Sequence, residues 1–187
     1  LAAGAGTRMK SELPKVLHEV CGRPMVSHVI SQAKKAGAET IIAVIGHGAE
    51  QVKEGLKEEE ILFALQEKQL GTGHAVMQAA DRIPDEGDVF VLCGDTPLIT
   101  SETLAEFAAY HSGSNNAVTV LTAIFDNPFG YGRIIRGEDG NLQKIVEQKD
   151  ADETEKAVKE VNAGMYCFNG AFLRENLPKL SNQNAQN

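Results

Sequence analysis

The chain has 187 residues, 42% hydrophobic and 24% charged, with a formal net charge of −8, so one soluble globular domain with a real core is expected. The acidic balance argues against broad nucleic-acid binding, and no apolar run approaches the ~18 residues of a membrane span. Cys21, Cys93 and Cys167 are scattered with no Cys-x-x-Cys pair, so neither a disulfide framework nor a zinc site is expected, and a reducing cytoplasm fits best.

Leu1, Ala2 and Ala3 read as the end of a strand entering a glycine turn. A strand normally needs about five residues, so the chain is read as a fragment whose first strand starts upstream. Pro24 suits the first turn of a helix, and Met25, Val26, Val29, Ile30 and Ala33 share one face of it. Lys34 and Lys35 favour its C-terminal end, and Gly37 can cap it. Residues 40–45 are rich in β-branched side chains, as a buried parallel strand should be. A weaker helix is expected over 49–56, a strand over 61–65, a helix over 72–81 and a third strand over 89–93. Thr100 is placed to cap a helix running to about residue 110.

From about residue 117 the rhythm changes. Strands are expected at 118–125 and 161–168, a hairpin-like pair at 133–136 and 142–146 around Asp139-Gly140, and a short helix at 172–177. The fold class that follows is α/β. It is Rossmann-like, a mostly parallel sheet with helices on both faces and a small mixed β region in the later half. The polar tail from Ser181 onward reads as disordered or as a cut end.

The strongest local signal is Leu1-Ala2-Ala3-Gly4-Ala5-Gly6-Thr7-Arg8-Met9. A strand feeding a glycine-rich turn exposes backbone N–H groups to a phosphate, and glycines let the backbone approach it closely. Met9 stands where a Walker loop or a dinucleotide fingerprint needs glycine, so the segment matches neither. The turn alone reads equally as a phosphate cradle or as an ordinary tight turn. Its surroundings favour the cradle. Within the first 25 residues Arg8, Lys10, Lys15 and Arg23 outnumber Glu12 and Glu19, in a chain that is acidic overall. The ends of the strands are also where open α/β sheets hold ligands.

These residues, with Leu13-Pro14-Lys15 following, resemble the signature of nucleotidyltransferases that act on sugar 1-phosphates. The resemblance implies that Leu1, Ala2, Ala3, Gly4 and Gly6 wrap nucleotide phosphates, and that Arg8 and Lys15 neutralise charge during transfer. The run Gln66-x-x-Gln69-Leu70-Gly71-Thr72-Gly73-His74-Ala75 reads on its own as a loop with a helix cap or as a base pocket. It resembles the uridine-recognition segment of N-acetylglucosamine-1-phosphate uridylyltransferases, by which Gln66, Gly71 and Thr72 contact uracil and His74 is structural. In Cys93-Gly94-Asp95-Thr96-Pro97, Asp95 either organises a turn or holds Mg²⁺. The family pattern puts this aspartate on Mg²⁺, gives Cys93 and Gly94 a lining role, and takes a second metal ligand from an asparagine beyond Asn187.

Gly132, Glu147 and Asn162 each read individually as a turn, a solvated loop end and a strand edge. The resemblance makes them sugar-binding positions. It covers nearly the whole chain and points to uridylyltransferase domains that stand N-terminal to an acetyltransferase half. By it, 1–187 is a nucleotidyltransferase domain truncated at both ends, with a nucleotide-binding half at 1–115 and a sugar-binding half at 116–187. The implied partners are UTP and N-acetylglucosamine 1-phosphate, within a homo-oligomer trimerised through the C-terminal domain. A transferase using glucose 1-phosphate with UTP or dTTP is the near alternative, and a non-catalytic module sensing nucleotide sugars is the distant one.

Overall fold

The computed structural model describes residues 1–6 and 9–180. The first regular element is a small antiparallel hairpin of β1 (Glu19–Val20) and β2 (Arg23–Pro24). Cys21 and Gly22 turn it with φ of 52° and 74°, the pair of positive values that a two-residue hairpin loop requires. Sequence reading missed this hairpin, because a Cys-Gly pair between two-residue strands has none of the flanking alternation that marks one.

Helix α1 (Met25–Lys35) begins directly after Pro24 and ends before Gly37, whose φ is +94°. Strand β3 (Ile42–Ile45), helix α2 (Ala49–Gly55) and strand β4 (Leu62–Leu65) follow, and β3 and β4 pair in parallel. Alternation along β3 explains the layering. Ala43 and Ile45 pack with Val26 and Ile30 of α1 and Val52 of α2 on one face. Val44 packs on the other face with Ala75 of α3 (Thr72–Met77) and with Ala79. One strand thus carries helices on both faces, as a buried parallel strand must. Helix α3 is shorter than the expected 72–81, because the chain tightens into a 3-10 turn at Ala80–Arg82 ahead of Pro84.

The segment 1–3 stitches two sheets together. Ala2 N donates to Val44 O at 2.7 Å and His47 N to Ala3 O at 3.1 Å. On its other edge Leu1 N donates to Leu92 O at 2.5 Å and Gly94 N to Leu1 O at 2.8 Å, just past β5 (Asp88–Val91). The chain therefore moves from this segment outward to β3 and β4, then returns to its opposite side at β5. Such a reversal is the switch point at which open α/β sheets form a crevice.

Helix α4 (Ser101–Ser114) is capped by Thr100, whose Oγ1 accepts from Thr103 N at 3.2 Å. It passes the expected end near Tyr110 and stops at Asn115, which adopts a left-handed φ of 50°. The later half holds β6 (Val118–Ile124), β7 (Arg133–Arg136), β8 (Leu142–Val146), α5 (Glu153–Lys156), β9 (Glu160–Asn169) and α6 (Gly170–Asn176). The short α5 is held by a capping box between Asp152 and Glu155.

Strand β9 organises this half. One of its edges pairs antiparallel with β6 along most of its length. The other edge pairs with β5 over 166–169 and with β7 at Val161. Between these two partners β9 bulges: Val120 faces Tyr166 and Thr122 faces Asn162, so β9 carries extra residues around Gly164, whose φ is +73°.

Candidate functional site

The switch point gathers the glycine turn, Lys15 and Asp95. Pro14 leads into a 3-10 turn, Lys15–Leu17, whose Val16 and Leu17 are buried against the α1 and α2 core. That anchoring leaves the Lys15 stem beside Gly6, whose φ is +58° and where a Cβ would stand 2.7 Å from Lys15 Cβ. Only glycine serves there, for both conformation and room. Lys15 Nζ forms an ion pair with Asp95 Oδ2. Arg8 lies outside the described residues.

Asp95 follows the end of the β5 segment in a tight turn, tied by a Thr96 Oγ1 hydrogen bond to Cys93 O at 2.7 Å. A Cβ on Gly94 would stand 2.9 Å from Leu1 O, so glycine permits the close approach that sets Asp95 beside the 1–3 segment. Burial pushes the Cys93 thiol above its ordinary value, and it donates to Gly164 O at 3.3 Å as a neutral group. Asp95 is a hard oxygen donor whose second carboxylate oxygen is free of the lysine pair. A single carboxylate beside a phosphate-binding turn fits Mg²⁺, which takes one or two carboxylates with waters and substrate oxygens.

Gln66 lies at the end of β4, is buried, and continues the ladder through its N–H to Ile45 O at 2.7 Å. Its amide Nε2 donates to Gly71 O at 3.1 Å and meets His74 Nδ1 at 3.0 Å. Gly71, with φ of +96°, precedes Thr72, the first residue of α3. The amide thus fixes the loop from 66 to 74 from inside. His74 is held by Gln66 and by Gln78.

Three strands bring Gly132, Glu147 and Asn162 together. Arg133 pairs with Val146 of β8 and with Val161 of β9, which sets the following residues in one row. Asn162 N donates to Gly132 O at 2.9 Å, and a Cβ on Gly132 would stand 3.1 Å from Glu147 Oε1. The Asn162 side chain braces the bulge, accepting from Gly164 N at 2.9 Å and donating from Nδ2 to Tyr166 Oη at 2.7 Å. The bulge reaches Cys93, next to Gly94 and Asp95, so the row on β7–β9 and the carboxylate at the switch point are neighbours in space. Sequence reading missed Tyr166, Gln148 and Arg133. None of these carried a local signal, since Arg133 reads as a solvated charge at the start of a short strand.

A second cluster lies at the other end of β5. Asp88, His111 and Cys167 bring one ligating atom each within 4.8 Å. Its groups are already engaged: His111 Nδ1 with Thr119 Oγ1 at 2.7 Å, and Asp88 with the Ser112 hydroxyl at 2.8 Å. Burial pushes the Cys167 thiol up to about 12. It reads as a satisfied polar network.

The comparisons agree with this geometry. A family model described as a MobA-like NTP transferase domain matches residues 1–158. The bifunctional protein GlmU of Alkaliphilus oremlandii (strain OhILAs) is 59% identical over 186 residues, covering 100% of this chain and 40% of that protein. GlmU of Geobacillus thermodenitrificans (strain NG80-2) is 57% identical over 187 residues, with the same coverage. The chain therefore spans 40% of the length of these relatives. Among solved structures, a putative glucose-1-phosphate thymidylyltransferase from Bacillus anthracis superposes with a TM-score of 0.80 at 19% identity, covering 96% of this chain and 73% of that one. A UDP-glucose pyrophosphorylase from Acinetobacter baumanii superposes with a TM-score of 0.73 at 22% identity, covering 97% and 77%. At those identities the likeness concerns the fold, which is the α/β arrangement expected from the sequence. With its glycine turn, paired Lys15 and Asp95, and this match over most of its length, the chain belongs to the family of MobA-like NTP transferase domains.

Proposed function

We propose that this chain transfers the uridylyl group of UTP to N-acetylglucosamine 1-phosphate, giving UDP-N-acetylglucosamine and pyrophosphate. The observation that carries the reading is the Lys15–Asp95 pair beside the glycine turn at the switch point. The resemblance of the Gln66 to Ala75 run to a uridine-recognition segment, with the high identity to bifunctional GlmU proteins, supports the uridylyl and N-acetylglucosamine assignments. The attacking phosphate oxygen is already an anion, so no general base is needed. Repulsion between two polyanions is the obstacle, and positioning with charge neutralisation supplies the rate.

Backbone N–H groups of Gly4 and Gly6 are suited to line the triphosphate. Lys15 is suited to leave Asp95 for a phosphate oxygen, a cheap exchange because both side chains are about one-third exposed, at 33% and 30%. Arg8 adds a second cation on the resemblance alone. Asp95 is the residue that would hold Mg²⁺, which supplies charge neutralisation at the phosphates when bound. Leu1, Ala2 and Ala3 form the floor, Gln66, Gly71 and Thr72 the uracil side, and Cys93 and Gly94 the lining between them. Gly132, Glu147 and Asn162 are suited to bind the sugar. The division into a nucleotide half at 1–115 and a sugar half at 116–187 is supported by the pairing of β5 with β9 and by the contact of Cys93 with Gly164 in the bulge.

No described helix is long and apolar enough to cross a membrane. A cytoplasmic enzyme, trimeric through further sequence, supplying a cell-wall precursor fits the reading. The test is pyrophosphate release across a panel of UTP, dTTP and other triphosphates with N-acetylglucosamine, glucose and glucosamine 1-phosphates. UTP with N-acetylglucosamine 1-phosphate is expected to give the highest kcat/KM. A preference for glucose 1-phosphate, or binding of UTP without any turnover, defeats the assignment.

A further inference from the structure

Alternation along β7 sets the starting point. Gly132, Glu147 and Asn162 form one row across three strands, and Arg133, Val146 and Val161 form the next. Neighbouring residues leave a sheet on opposite faces, so the Arg133 side chain runs behind the row to which the sugar is assigned. There it is 2% exposed.

Among the described residues, the hydrogen-bond partners of the guanidinium are all uncharged. Its Nη1 donates to Tyr131 O, and its Nη2 to Gln148 Oε1 at 2.7 Å and to Lys156 O at 3.5 Å. Its Nε is buried without a partner. The same Gln148 oxygen accepts from Gly130 N at 3.1 Å. One cation and one amide oxygen therefore tie together the glycine turn before β7, the turn after β8, and the C-terminal end of α5. These are the segments that carry Gly132 and Glu147.

Packing does not account for this arrangement. A buried charge met only by neutral oxygens is costly beside an apolar side chain of similar volume. Arg133 also borders an open surface depression of ≈ 380 Å³, lined among others by Asn127, Phe129, Gln148, Glu153 and Lys156. What the guanidinium does fix is distance. A Cβ on Gly132 would meet Glu147 Oε1 at 3.1 Å, so a shift of the turn by a fraction of an ångström alters the space between them.

We propose that Arg133, acting through Gln148 and the backbone of the glycine turn, is a positioning residue that sets the gap between Gly132 and Glu147 and hence the fit of the sugar 1-phosphate. It touches no substrate. The inference rests on the sugar-nucleotide reading of the site.

The test is steady-state pyrophosphate release by the full-length protein and its Arg133→Met and Gln148→Leu variants. Both variants are expected to raise KM for N-acetylglucosamine 1-phosphate by about tenfold or more, while KM for UTP stays within about twofold. A general loosening of the fold would move both constants. A sugar-phosphate KM that stays unchanged, or that rises in step with the UTP KM, in the folded variants overturns the proposal. Should Arg133→Met fail to fold, Gln148→Leu, which keeps the cation and removes the shared oxygen, decides alone. If the wild type uses another sugar 1-phosphate, the same comparison is made with that sugar. An error in the substrate assignment then surfaces in the wild type, and an error in the positioning role only in the variants.

Discussion

Lys15 and Asp95 stand 80 positions apart in the chain and meet as an ion pair at the mouth of the switch point. Their side chains are 33% and 30% exposed. Exposed pairs contribute about 0–1 kcal/mol to stability, so the pair's value lies in the charges it presents. Lys15→Ala is expected to lower kcat by roughly 10²–10³, the scale seen when one preorganised charge-stabilising donor is lost. Its melting temperature is expected within about 2–4 °C of wild type, the shift that ~1 kcal/mol produces in a domain of this size. Wild-type turnover in a folded Lys15→Ala protein removes Lys15 from the mechanism.

Asp95→Asn keeps the shape and removes the charge. The variant is expected to lose Mg²⁺-dependent pyrophosphate release by at least ~10², and chelation by EDTA is expected to abolish wild-type activity reversibly. Titration of Mg²⁺ against rate checks both: Asp95→Asn needs far more metal to reach any plateau. An unchanged Mg²⁺ dependence in the variant assigns the metal elsewhere.

Gly6→Ala tests the cradle itself. The new Cβ falls 2.7 Å from Lys15 Cβ at a φ of +58°. The left-handed backbone costs an L-residue about 1–2 kcal/mol, and the Lys15 stem must move. Turnover is expected to drop at least ~10-fold, since misplacing a catalytic group by ~1 Å can cost 10²-fold. Kinetics alongside a urea melt distinguish the displaced lysine from simple loss of stability.

Gln66→Leu leaves Gly71 O and His74 Nδ1 without their amide donor. Gly71 O still accepts from Ala75 N at 3.1 Å, so the loss falls on the half-buried His74 Nδ1, and the variant is expected to be less stable by about 1 kcal/mol. KM for UTP is expected to rise while KM for the sugar phosphate holds, because the proposed uracil side includes the loop from 66 to 74 and the proposed sugar row does not. Equal changes in both constants would separate Gln66 from base recognition.

Burial holds the Cys167 thiol neutral up to about 12, against an ordinary value of 9.0. An unfolded chain ionises that thiol first, so the folded state retains more protons as pH rises. Stability is therefore fully present below about 9 and is lost as pH climbs towards 12. Urea midpoints measured from pH 8 to 11 are expected to fall, and to fall less in Cys167→Ala. At pH 8 a thiol reagent is expected to label exposed Cys21 and spare Cys167.

Much of this was readable before any coordinates. Thr100 announced its helix because a hydroxyl at that position satisfies an otherwise orphaned N–H. Residues 40–45 announced a buried strand because β-branched residues favour one. The glycine turn, Lys15 and Asp95 were grouped through the family resemblance, and only the fold brings the last two into contact. Other features left no mark. The capping box of Asp152 and Glu155 was present but passed unread in a charged stretch. The antiparallel pairing of β5 with β9 joins residues far apart in sequence, and local propensity does not specify a partner. Arg133 reads as an ordinary solvated cation until burial removes the solvent.

The exchange of partners along β9, from β7 to β5, makes that strand a ruler between the two ends of the reaction. Asn162 is counted off from Tyr166, and Tyr166 is locked in register with Val91, the last residue before the turn that leads to Asp95. Adding or deleting one residue in that interval slides the sugar end by about 3.3 Å, as far as the whole gap between two reacting atoms. On the proposed reading, the number of residues in the bulge sets the spacing between the sugar row and the turn that holds Asp95.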